Sequence, residues 1–203
     1  MPRLIRSGDL KPAPWKNGGG VTSEIAIFPT DATVETFNWR VSLAQVASSG
    51  PFSRFPGIDR TLSVLAGHGL RLEVDGYSAI TLDTTSPPFA FPGNVATTAS
   101  LLDGPIVDFN VMTRRGRFTH VVERVMLARG ESARGLSPQS SPSMGRSPTT
   151  LLFCARGSVV ILVPPAGIVL CHHDVLVDDE RAPFKIEACE PSLILRVTIV
   201  PGS

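Results

Sequence analysis

Histidine and cysteine are scarce in this chain, four and three among 203 residues, and the scarcity closes off several kinds of chemistry. Cys154, Cys171 and Cys189 have no CxxC spacing, which excludes a disulfide framework and a zinc ribbon. On apolar segments they are expected to pack as buried thiols. No serine stands in a Gly-x-Ser-x-Gly elbow. Of the histidines, His68 falls in a hairpin turn and His120 at a strand start. His172-His173-Asp174 is the densest local group, but neighbours on an extended chain point to opposite faces, so a surface turn is expected there. No strand of the first half offers paired histidines with a carboxylate, and neither a metal nor another cofactor is expected.

Charge of one sign is also missing. A net charge of +1 provides no basic field for nucleic acid and no acidic one for cationic partners. No apolar run nears the roughly 20 residues that span a bilayer. The opening MPRLIRSGDLKPAPW lacks the apolar core of a signal peptide, so no membrane partner and a cytoplasmic location are expected.

Runs of helical length are absent too, because eighteen prolines and eighteen glycines interrupt them, and the runs that remain alternate with period two. The first half reads as seven strands, 21–28, 39–46, 60–65, 69–74, 78–82, 96–102 and 106–112. The second reads as 119–127, 150–154, 158–163, 168–171, 175–177, 183–188 and 193–200. This is an all-β pattern of sandwich or barrel type. Laying 62–72 over 152–162 sets Gly67 on Gly157, an offset of about half the chain, which suggests duplicated β-barrels. The domains are then 1–115, with a Gly-rich lead-in, and 116–203. Within the second, 131–150 is crowded with Ser, Pro, Gly and Arg and reads as an exposed connection.

Gly50 to Gly76 joins a loop dense in Pro and Gly to a hairpin around Ala66-Gly67-His68. Phe52 and Phe55 are placed to anchor that loop and Arg60 to do polar work. Trp15-Lys16-Asn17-Gly18-Gly19-Gly20 precedes the first strand. Its glycines admit backbone N–H groups to a ligand, and Lys16 and Asn17 add donors, but a strand follows, so it is no P-loop. Alternation puts Arg40 and Ser42 on one strand face, Asp108 and Asn110 on another, and Thr22 and Glu24 on a third. In an ordinary sandwich such faces meet water. In a small barrel they line a cavity in which Lys16, Arg40 and Arg60 converge as cations, Glu24 and Asp108 pair with them, and a small organic anion is the partner. Glu24 or Asp108 is also a candidate acid or base if buried.

Pro14-Trp15-Lys16-Asn17-Gly18-Gly19-Gly20 with Glu24, Trp39-Arg40-Val41-Ser42, Gly50-Pro51-Phe52-Ser53 with Phe55, Gly57-Ile58-Asp59-Arg60 and Asp108-Phe109-Asn110-Val111-Met112 resemble the HutD/Ves family of bacterial proteins. The resemblance covers residues 10 to about 115, with a looser match beyond. It implies two metal-free cupin barrels in one chain (a bicupin, RmlC-like jelly roll) and a link to histidine utilisation. On that basis a small carboxylate metabolite such as urocanate or formylglutamate is expected in the first barrel, in a regulatory role. Its contacts would be Lys16, Asn17, Arg40 and Arg60, oriented by Glu24, Ser42, Asp108 and Asn110 and closed over by Phe52 and Phe55. The alternative is a metal-independent isomerase or hydrolase using Glu24 or Asp108. The apolar second half is a candidate homodimer surface.

Overall fold

Short alternating segments cut by Pro and Gly can satisfy their backbone groups only by pairing with one another. The computed structural model shows that outcome. It describes residues 2–16, 18–135, 147–163, 166–179 and 184–202. Among them stand nineteen strands and one 3₁₀ turn, Ser7–Asp9. In chain order the strands are β1 (Arg3–Ile5), β2 (Pro12–Pro14), β3 (Gly20–Phe28), β4 (Trp39–Val46), β5 (Gly50–Pro51), β6 (Ile58–Ala66), β7 (Leu70–Val74), β8 (Ile80–Leu82), β9 (Phe89–Pro92), β10 (Thr97–Leu101) and β11 (Ile106–Arg114). There follow β12 (Phe118–Leu127), β13 (Ser132–Gly135), β14 (Thr149–Arg156), β15 (Val159–Val163), β16 (Ala166–Leu170), β17 (Val175–Asp178), β18 (Phe184–Ala188) and β19 (Ser192–Pro201).

The chain forms two units, Leu10–Phe118 and a second made of Met1–Asp9 with Thr119–Ser203. In the first, a six-stranded sheet in the order β2-β3-β4-β11-β6-β9 and a four-stranded sheet β5-β10-β7-β8 share one core. Leu62, Val64, Leu70, Leu72, Phe91 and Ile106 fill it, each apolar side chain contributing about 1.5–3 kcal/mol by leaving water. In the second, a five-stranded sheet β1-β17-β14-β19-β12 and a four-stranded sheet β13-β18-β15-β16 enclose Leu152, Cys154, Ile161, Leu176, Ile186 and Ile194.

The two strand orders repeat. β4-β11-β6-β9 corresponds to β12-β19-β14-β17, and β5-β10-β7-β8 to β13-β18-β15-β16. Register agrees down to the irregularity, since β11 on β6 is bulged at Val107/Asp108 and β14 on β19 at Cys154/Arg156. Gly67 and Gly157 occupy equivalent hairpin ends with φ of 90° and 80°, and a Cβ on either would lie 2.5–2.6 Å from the carbonyl oxygen of Pro105 or Pro191, where the next central strand begins. Both positions require glycine for the same two reasons.

Several expectations are corrected. The sheets are open, with free edges at β2, β9, β5 and β8 in the first unit, rather than closed into barrels; two sheets facing each other bury the apolar faces without hydrogen-bond closure. The first nine residues, assigned by sequence to the first domain, belong to the second unit. There β1 pairs with β17, Leu4 packs on the core, and Arg6 donates to Asp174 at 2.7 Å. Of the segment 131–150, the ends are strands β13 and the start of β14, and 136–146 lie outside the described residues. Cys154 is buried but Cys171 and Cys189 are exposed, because each falls just past the end of its strand. At His172-His173 the turn expected there is present, and in it the two rings lie together. His173 has φ +66° in a turn, which brings the rings into a stack 3.8 Å apart.

Candidate ligand-binding site

Along the inner faces of β4 and β6 the side chains change from apolar to polar in the same direction, and β11 between them carries its two polar residues mid-strand. β4 runs Val46, Ala44, Ser42, Arg40; β6 runs Val64, Leu62, Arg60; β11 runs Ile106, Asp108, Asn110, Met112. Register sets Asn110 between Ser42 and Leu62, and Met112 between Arg40 and Arg60. The apolar ends belong to the core, and the polar ends line a cavity of about 560 Å³. That volume suits a small metabolite.

Arg60 lies at the back of this space and is 6% exposed. Its guanidinium carbon sits 4.9, 5.2 and 5.8 Å from the ring centroids of Phe52, Phe91 and Phe55. Phe91 is its cross-strand partner on β9, and Phe52 and Phe55 come from the Pro-rich loop. Gly93 makes room for the stem, since a Cβ there would lie 3.2 Å from Arg60 Cγ. Aromatic faces stabilise the cation but leave its N–H groups to be satisfied in the plane. Nη2 donates to Asn110 Oδ1 at 2.8 Å, whereas the buried Nε has no partner among the described residues. Burial pushes the guanidinium down to about 10, with Asp108 opposing the shift and Arg40 adding to it. Arg60 therefore remains a cation at neutral pH, with one in-plane donor unused.

Asp108 is 1% exposed and accepts a hydrogen bond from Asn110 Nδ2 at Oδ1. Among the described residues it forms no direct ion pair; Asn110 relays between it and Arg60. Burial pushes its carboxyl up to about 7, against the pull of the Arg60 charge and the Asn110 hydrogen bond. Arg40, at the next level of β4, donates from Nε to Glu24 Oε2 at 2.9 Å. Trp15 Nε1 donates to Thr22 Oγ1 at 2.7 Å, and the turn closes through Trp15 N to Gly20 O at 2.9 Å. Gly18 takes φ +71°, and at Gly20 a Cβ would meet the Gln45 carbonyl oxygen and the Trp15 ring. The glycines thus let Trp15 fold back over β3, with Lys16 exposed at the rim.

Of the ten residues singled out by sequence, Lys16, Arg40, Ser42, Phe52, Phe55, Arg60, Asp108 and Asn110 line this one cavity. Glu24 does not reach the lining; it stands behind Arg40 as its ion-pair partner, half exposed to solvent. Asn17 lies outside the described residues. The pairing of cations with acids also differs from expectation, because Arg60 meets Asp108 through an amide rather than directly. Sequence reading missed Phe91, in a strand hidden by Pro88 and Pro92, and Trp15 as a lining residue, although its place beside the glycines marked it.

The second unit is an internal control. By register, Arg60 corresponds to Thr150, Asp108 to Ile194 and Asn110 to Arg196. Ile194 is part of the apolar core, and Arg196 pairs with Glu123 at 2.9 Å. At the positions matching Arg60, Asp108 and Asn110 the second unit thus carries neither an acid nor a buried unpaired guanidinium, although Asp178, beside Thr150, is buried, so the Arg60–Asn110–Asp108 arrangement is not a requirement of the topology.

Facing antiparallel sheets with a polar cavity at one end of the core place the chain among cupin-fold proteins. In fold alone it is similar to a bacterial pirin, YhhW of Escherichia coli, solved in complex with nickel(II), at TM-score 0.70 and 10% identity over all of both chains. The HutD family model matches residues 7–195, and the chain belongs to the HutD family. HutD from Pseudomonas fluorescens SBW25, described by its formate condition, is similar over all of both chains at TM-score 0.79 and 30% identity. A conserved protein of unknown function from Pseudomonas aeruginosa PAO1 matches likewise at 0.85 and 33%. Among curated relatives, an uncharacterised 21.2 kDa protein in the hutC 3′ region of Pseudomonas putida is 40% identical over 116 residues, 57% of this chain and 60% of its own. Protein Ves of Escherichia fergusonii is 42% identical over 101 residues, 49% of this chain and 51% of its own. The chain thus spans little more than half the length of the curated relatives it matches.

Proposed function

We propose that this chain binds a small carboxylate metabolite in the cavity of its first unit and acts as a regulatory or metabolite-buffering protein of histidine utilisation or related metabolism, in the cytoplasm. In this reading the two units are cupin modules of a duplicated chain, of which the first keeps the site. The observation that carries it is Arg60: a buried cation, clamped between aromatic rings, whose Nε has no partner among the described residues and whose register-matched position in the second unit is Thr150. A carboxylate is the partner that satisfies an in-plane guanidinium donor and its charge together. Arg40 and Lys16 add positive charge toward the rim, and Phe52 and Phe55 close over the ligand's apolar part. Urocanate and formylglutamate are the leading candidates, in line with the hut-region name of one relative and the HutD name of another. The test is a thermal-shift series with urocanate, formylglutamate, histidine and formate. A ligand at a hundred times its dissociation constant adds about 2.7 kcal/mol, and Arg60→Met removes the effect. No shift with any of them overturns the reading.

Asp108 supports a second reading as a metal-independent isomerase or hydrolase, because a buried carboxyl near 7 is poised to exchange a proton at neutral pH. Turnover of a candidate acid that is lost in Asp108→Asn favours it over passive binding. Concentration-dependent mobility in size-exclusion chromatography tests the homodimer.

A further inference from the structure

We propose that the cavity takes up its carboxylate together with one proton from solvent, and that Asp108 holds that proton in the complex. The inference rests on carboxylate binding at Arg60. Its ground is the arrangement of charge inside the cavity.

The groups facing Asp108 come from four elements. On its own strand Asn110 donates to it; from β6 comes Arg60, from β4 come Ser42, Ala44 and Arg40, and the lead-in loop supplies Lys16. Arg40 is already neutralised by Glu24 at 2.9 Å, and Lys16 is exposed and screened by water. The buried layer therefore contains one cation, Arg60, and one acid, Asp108, joined through Asn110. With Asp108 ionised that layer is neutral. A carboxylate added at Arg60 leaves two anions and one cation away from water, an arrangement that shared acid sites relieve by protonating one partner. Asp108 is the group able to do so, since burial already favours its neutral form.

The balance is simple. The ligand anion and one solvent proton enter, the Asp108 carboxylate becomes a carboxylic acid, and no covalent bond of the ligand changes. The new O–H becomes a donor toward the incoming carboxylate, while the other Asp108 oxygen still accepts from Asn110 Nδ2 and Asn110 Oδ1 still accepts from Arg60.

Calorimetric titration of the full chain with formate, acetate and benzoate tests this, from pH 6 to 8.5 in phosphate and in Tris, whose ionisation enthalpies differ. The expected result is uptake of close to one proton per anion above pH 7, with affinity falling roughly tenfold per pH unit there. In Asp108→Asn the buffer dependence vanishes and affinity no longer varies with pH. Binding of a probe by the wild-type chain with no proton uptake overturns the inference while carboxylate binding stands. Uptake that persists in a folded Asp108→Asn protein also overturns it, by assigning the proton elsewhere. No binding of any probe at any pH removes the underlying reading and the inference with it. Because the proton count is measured on the wild-type chain, a poorly folding variant does not decide the matter.

Discussion

Asn110 accepts a hydrogen bond from Arg60 at 2.8 Å and donates one to Asp108, so a single amide stands between the cation and the acid. The arrangement is directional, since the amide oxygen must face the guanidinium and the amide nitrogen the carboxyl. Replacing Asn110 with Leu leaves both partners buried without their shared hydrogen-bond partner. The expected cost is about 1–3 kcal/mol for each group left unsatisfied, read from urea midpoints. Asn110→Asp keeps the acceptor for Arg60 but sets two acids side by side, and is expected to be destabilised most at high pH.

The position of Asp108 fixes the sign of a pH effect on stability. Its carboxyl is raised from the ordinary carboxylate range to about 7 in the folded chain, so between pH 4 and 7 the folded state binds more protons than the unfolded one. The stabilisation from this group is complete below pH 4 and is lost as pH rises through 7, at up to about 1.4 kcal/mol per pH unit. His173 acts at the other end. Burial beside Phe153 and the neighbouring His172 depress it to about 4, so its contribution is present above pH 6.5 and lost as pH falls through 4. Subtracting the urea-unfolding profile of Asp108→Asn from that of the wild-type chain isolates the first effect. A difference that does not vary between pH 5 and 8 shows that Asp108 is not the group responsible.

Gly93 tests the support of Arg60 from outside the cavity. A Cβ there would lie 3.0 Å from the Ile58 carbonyl oxygen and 3.2–3.3 Å from Arg60 Cγ and Cδ. Gly93→Ala must therefore push either the strand or the arginine stem, at about 1–3 kcal/mol for overpacking. Carboxylate affinity is expected to fall with it although no lining residue changes. Gly104→Ala is the comparison: its φ of +65° is strained but open space surrounds it, so stability falls and binding does not.

The ring of contacts around Asp174 makes a separate prediction in the second unit. Asp174 accepts from Ser7 N at 2.9 Å, Cys171 N at 3.0 Å and Arg6 Nη1 at 2.7 Å, and so ties the N-terminal segment to the turn after β16. Asp174→Ala releases that segment, and amide exchange of Leu4 and Ile5 is expected to rise sharply while residues of the first unit keep their protection. Equal loss of protection in both units contradicts this local role.

How much of this was legible follows from where each residue sits. Alternation found every strand with neighbours on both sides, such as β4, β6 and β11, whose inner and outer faces both leave a mark in the sequence, and the edge strands β8, β12 and β16. The strands that were missed, β1, β2, β5, β9 and β13, all lie at sheet edges. Edge strands are short, tolerate proline and need no alternating pattern, as Pro12–Pro14 and Gly50–Pro51 show. The cavity residues were legible because strand period places Arg40 with Ser42 and Asp108 with Asn110. What alternation cannot provide is the order of sheets, and so neither the Phe91 contact with Arg60 nor the amide between Arg60 and Asp108 followed from it. Closed barrels were inferred from the half-chain repeat and from a resemblance, and nothing in period-two patterning distinguishes a closed sheet from two that face each other.

The duplicated topology allows the role of the polar layer to be separated from the fold that holds it. If Arg60, Asn110 and Asp108 exist for a ligand, then replacing them with what an apolar core accepts, Arg60→Thr and Asp108→Ile after the second unit's Thr150 and Ile194, together with Asn110→Leu, should leave a folded protein. Exchanging a whole buried ionic group for apolar side chains is commonly neutral or stabilising by about 1–4 kcal/mol, whereas removing one member is costly. The triple variant is therefore expected to match or exceed the wild-type urea midpoint, to lose every carboxylate-induced thermal shift, and to lose the pH dependence attributed to Asp108. The reverse exchange, Ile194→Asp, buries an acid with no built partner and is expected to cost several kcal/mol. A triple variant that unfolds while Ile194→Asp is tolerated reverses the assignment: the polar layer would then belong to the architecture of the first unit, and the cavity would lose its claim to be a binding site.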